Sequence, residues 1–144
     1  MQRQRAPALG LRAVLLAAKD DFEGGYFAGL KALVQSEVFD SELEQAEELL
    51  SAGYATAAAV IAGVVLETTL REMCNAHGLQ IGKLDKMNAD LAKAGAYNKF
   101  RQKQTTVLAD IRNSAAYGDT QGLKKEDVVS MLQDIQSFLA ERAP

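Results

Sequence analysis

Arg112, Asn113, Tyr117 and Asp119 fall in one stretch, Ile111-Arg112-Asn113-Ser114-Ala115-Ala116-Tyr117-Gly118-Asp119. A guanidinium, an amide, a phenol and a carboxylate are thereby held within about two helical turns, with small residues between them that leave room for a ligand. The arginine is a planar, permanently charged fork suited to phosphate oxygens. A phenol can donate a hydrogen bond but is a poor proton acceptor: its reference pKa near 10 leaves about one part in a thousand ionised at neutral pH, roughly 4 kcal/mol worse than an imidazole. On an ideal helix Asn113 and Tyr117 share a face, whereas Arg112 and Tyr117 stand about 140° apart. Arg112 can join the others through its length, through loosening of the last turn, or through a second subunit across a two-fold axis.

These residues close a helix predicted to start at Tyr97 or Asn98, to carry Val107, Leu108, Ile111 and Ala115 in its second half, and to stop at Gly118. Upstream, Tyr54 to Ala76 is the longest apolar segment, apolar almost all round in its first half, and is expected to be central. Its small residues from Ala55 to Gly63 let neighbouring backbones come close, and Glu67 and Arg71 follow at the spacing of an ion pair. Leu9 to Phe22 and Tyr26 to Val38 read as two amphipathic helices parted by Gly24-Gly25, with a loose tail before the first. Ser41-Glu42-Leu43-Glu44 matches a capping box opening a helix to Ser51. After a polar connection from Leu79 to Lys86, Asn88 is predicted to cap a short helix to Ala94. Beyond a loop from Gly118 to Gly122, a last helix runs from Lys124 to Arg142. No segment alternates with period two, so the expected fold is an all-α bundle of five or six helices. Residues 1–38 are its N-terminal helices, packed as a single domain with 39–144.

Composition narrows the function classes. The 144 residues are 48% hydrophobic and 24% charged, ordinary for one globular domain. No apolar run reaches the ~18 residues of a membrane span, and the single cysteine, Cys74, fits a cytoplasmic protein. Cys74 reads as buried filler, and His77, beside Gly78, as a helix-terminal group. Net charge is −3, but unevenly spread: 37–67 holds seven acids and no base, while 71–125 holds ten bases against five acids. That second half can present a positive surface to a phosphate backbone. No P-loop, dinucleotide fingerprint, zinc spacing or Ser-His-Asp arrangement is present.

Ile111-Arg112-Asn113-Ser114-Ala115-Ala116-Tyr117-Gly118 resembles the signature of HEPN domains, Arg-Asn-x-Ala-Ala-His-Gly, with Tyr117 standing at the histidine. Ala46 to Tyr54, Ala57 to Gly63 and Leu66 to Arg71 are similar to the long helix pair of such domains, and the likeness covers about Phe39 to Leu139. The resemblance implies a two-fold homodimer joined through the Arg112–Tyr117 helix and related to metal-independent endoribonucleases of toxin–antitoxin and phage-defence systems. It implies neither metal nor cofactor. Arg112 carries over as the charge stabiliser and Asn113 as its polar neighbour; Tyr117 carries over by position, which implies weak or absent cleavage. The catalytic candidates are Arg112 and Tyr117, and the candidates for binding RNA or a nucleotide are Arg112, Asn113, Glu67, Asp119 and Lys103. A competing reading is a non-catalytic helical module that docks an antitoxin or another regulated protein.

Overall fold

The structure, a computed structural model, describes residues 9–118 and 123–142; the N-terminal tail, Asp119 and the rest of the loop to Gly122 lie outside the described residues. Every element within them is an α-helix: α1 (Leu9–Ser51), α2 (Ala55–Ala76), α3 (Leu84–Lys93), α4 (Lys99–Ala116) and α5 (Lys125–Arg142). The chain divides between Val38 and Phe39 into two compact units.

The first unit holds the N-terminal part of α1. The expected break at Gly24-Gly25 is not made, nor does Ser41 cap a new helix; the helix runs unbroken over 43 residues. Glycine costs a helix about 1 kcal/mol relative to alanine but forces no turn unless φ turns positive, and neither Gly24 nor Gly25 does so. A Ser-x-x-Glu pattern, likewise, opens a helix only where the preceding residues leave helical geometry.

The second unit is built around α2. Ala58, Ala59, Ala62, Val65, Leu66 and Leu70 are almost wholly buried, and α2 packs against α3, α4 and α5. Phe39, Leu43, Ala46 and Leu50 from the end of α1 join the same core, as do Leu84, Met87 and Leu91 of α3, Leu108 of α4, and Val128, Met131, Ile135 and Phe138 of α5. The small residues predicted to allow close approach thus lie at the centre. Gly53, at φ +94°, makes the turn into α2, where the Tyr54 N–H reaches the Leu49 carbonyl at 2.8 Å.

Asn88 does not cap α3, which begins four residues earlier. It sits buried in mid-helix and serves tertiary structure instead, donating to the Gln102 carbonyl at 3.0 Å and to Thr106 Oγ1 at 3.1 Å while accepting from the Tyr97 hydroxyl at 2.6 Å. These bonds clamp α3 to the start of α4, whose N-cap is Asn98, accepting from the Arg101 N–H at 2.8 Å. Arg101 is buried beside them, bonded to Gln104 and Glu141, with its guanidinium carbon 4.9 Å from the centre of the Phe138 ring. No described helix is long and apolar enough to cross a membrane.

Candidate functional site

α2 meets α4 at Gly63, where the Arg112 side chain lies on the glycine. A methyl group built on Gly63 would stand 2.3 Å from Arg112 Cγ and 3.1 Å from its Cβ, closer than atoms can pack. Lying there, Arg112 runs along α2 to Glu67: Nη2 donates to Glu67 Oε1 at 2.8 Å, and Nη1 donates to Asn113 Oδ1 at 3.0 Å. The other oxygen of Glu67 faces Arg71 Nε at 3.7 Å. One carboxylate is therefore shared by two arginines. The pair is about a quarter exposed, 26% for Arg112 and 29% for Glu67, so the guanidinium keeps N–H groups available to a ligand.

Tyr117 is the C-cap of α4, its N–H bonded to the Asn113 carbonyl at 3.0 Å, and Gly118 follows at φ +79°. The chain has left helical geometry at this point, and the phenol is 78% exposed. Arg112, Asn113, Tyr117 and Glu67 all line one cleft of about 430 Å³. The 140° separation is overcome inside a single chain, by the reach of Arg112 and the unwinding at Tyr117, without a second subunit.

The opposite wall is the start of α3, contributed by Gly82, Lys83, Leu84 and Asp85. Lys83 is the N-cap residue, in extended geometry, and its side chain does not cap the helix. Sequence reasoning missed this wall because 79–86 reads as a polar connection. The i,i+4 pair Lys86–Asp90, 2.7 Å apart, was the available signal that the helix starts earlier. Two cations and two carboxylates, Arg112 and Lys83 with Glu67 and Asp85, thus line the cleft.

Lys103 is exposed on α4, about 13 Å along the axis from Arg112, and does not line the cleft. His77 ends α2 as its exposed C-cap, and Cys74 is fully buried, with desolvation raising its thiol pKa. No group of three potential metal ligands occurs among the described residues. Compared with known proteins, the chain matches no family model, no curated protein and no solved structure.

Proposed function

We propose that the chain is a HEPN-type domain that binds RNA or a nucleotide in the cleft between α2, α3 and α4, as a homodimer, with cleavage weak or absent. The observation that carries the reading is Arg112, its aliphatic stem seated on Gly63 and its guanidinium held by Glu67 and Asn113, with Tyr117 on the same cleft. Arginine in such a fork recognises phosphate and stabilises charge on phosphorus. Tyr117 supplies a hydrogen-bond donor where proton transfer would call for an imidazole. Val60 and Val64 of α2 and Val107 of α4 are exposed on the two helices that meet at the site, and they suit a dimer contact beside it.

The test is RNA binding by the wild-type chain and by Arg112→Ala, together with cleavage by Tyr117→His in the presence of a chelator. The expected result is binding that Arg112→Ala abolishes, and metal-independent cleavage that appears in Tyr117→His and vanishes in Tyr117→His/Arg112→Ala. If Tyr117→His neither binds nor cuts RNA, the reading fails. One observation favours a second function: Glu67 already neutralises Arg112, as in a purely structural ion pair. A helical docking module would then keep its partner after Arg112→Ala.

A further inference from the structure

The first unit contains, among its described residues, a single helix with no second layer to cover its apolar side. Tyr26, Phe27, Leu30, Leu33 and Val34 are 41–63% exposed. A lone helix of this length carrying Gly24, Gly25 and Gly29 is marginal in water, so its persistence asks for a partner. Lys19, Glu23, Tyr26, Leu30, Leu33 and Glu37 recur at alternating spacings of four and three, the seam of a coiled coil, with Phe27 and Val34 along its edge.

We infer that this seam pairs antiparallel with the same seam of a second copy, forming an interface separate from the cleft. The charges select both the occupant and its direction. A parallel pair would set Lys19, Glu23 and Glu37 each against its own copy, and like charges across a seam repel. The antiparallel pair with its axis at position 28 sets Lys19 against Glu37 of the second copy and Tyr26 against Leu30. The same register sets Glu23 against Leu33 of the second copy, with the Glu23 carboxylate 4.0 Å from Lys19 of its own helix at the solvent-facing edge of the seam. The five apolar side chains of each copy, two of them aromatic at roughly 150–250 Å² apiece, reach about the 1,000 Å² expected of a specific interface. From Lys19 to Glu37 the segment bears Lys19 and Lys31 against Asp20, Asp21, Glu23 and Glu37, a balance that disfavours an anionic membrane as the occupant.

The experiment is sedimentation of the full chain at micromolar concentration, with charge-swap and cross-linking variants. In a Val64→Asp background, which removes the dimer contact proposed beside the cleft, the chain is still expected to dimerise, and adding Leu30→Asp to raise the dissociation constant by roughly a hundredfold or more. Glu37→Lys is expected to weaken association about tenfold, and Lys19→Glu/Glu37→Lys to restore it, an outcome independent of whether Leu30→Asp melts the helix. An oxidised mixture of Lys19→Cys and Glu37→Cys chains should yield the mixed disulfide. Glu37→Cys cross-linking chiefly to itself would overturn the antiparallel arrangement. A Val64→Asp chain that sediments as a monomer would leave α2 as the sole contact, and a monomer that floats with phosphatidylserine vesicles would assign the face to lipid; either overturns the inference.

Discussion

Gly63 is the residue on which the site depends most directly, because its missing side chain is the space Arg112 occupies. Gly63→Ala puts a methyl group into the Arg112 stem, and overpacking of this kind costs typically about 1–3 kcal/mol. The expected outcome is a lower urea midpoint than wild type and a loss of RNA affinity approaching that of Arg112→Ala; an unchanged midpoint would mean that Arg112 does not lie on the glycine. A second residue separates structure from site. Tyr97 is half-buried against Asn88, and burial pushes its phenol well above the usual value near 10. The folded form therefore favours the neutral phenol. That contribution is whole below pH 10 and is lost as pH rises from 10 toward the folded pKa, because the unfolded chain ionises first. Tyr97→Phe cannot ionise. Its deficit relative to wild type, measured by urea unfolding, should shrink between pH 8 and pH 11, by about 1 kcal/mol at most after allowing for the solvent the ring still meets. A constant difference would refute the assignment.

At the scale of the elements, α1 gives the sharpest test. Gly24 and Gly25 lie inside a helix, and an added methyl at either meets nothing within 4 Å. Gly24→Ala/Gly25→Ala should therefore raise helical ellipticity at 222 nm and stabilise the segment by roughly 0.5–1 kcal/mol per site. If a turn separated two helices there, the same change would lower both. This is also where sequence and structure part most clearly. The range of α2 was legible almost to the residue, because a segment apolar nearly all round has only one place in a helical bundle. The start of α4, expected at Tyr97 or Asn98, its glycine stop and the span of α5 were legible from periodicity and punctuation. The continuity of α1 was not, since a glycine pair signals a turn only when tertiary structure requires positive φ. Nor was the α3 wall of the cleft: Asn88 has the composition of a cap, but its amide is spent on bonds to residues that sequence does not place beside it. At the site, the grouping of Arg112, Asn113 and Tyr117 was visible in one stretch of sequence. The seat on Gly63 and the sharing of Glu67 by Arg71 and Arg112 came only with the packing of α2 on α4.

For the whole molecule the question is how a chain of net charge −3 could hold a polyanion. The acids are concentrated in 37–67, and the bases outnumber the acids two to one in 71–125, the span that supplies Arg71, Lys83 and Arg112. Of these, Lys83 and Arg112 line the cleft, where Glu67 and Asp85 offset them. On the proposed reading, attraction for RNA is short-ranged and made by a few contacts rather than by the field of the whole molecule, which repels. Each phosphate contact to a single strand adds about 0.7 to the slope of log affinity against log salt. Fluorescence anisotropy with a short single-stranded RNA over a salt series should give a shallow slope, between about −1 and −3, for the wild type. Lys83→Ala should reduce its magnitude by about 0.7 while leaving measurable binding, since Arg112 would still hold one phosphate. A steep slope, from many contacts, would move the RNA out of the cleft and onto the basic exterior that includes Lys99 and Lys103. An affinity indifferent to salt would remove phosphate recognition altogether and leave the helical faces as the binding surface.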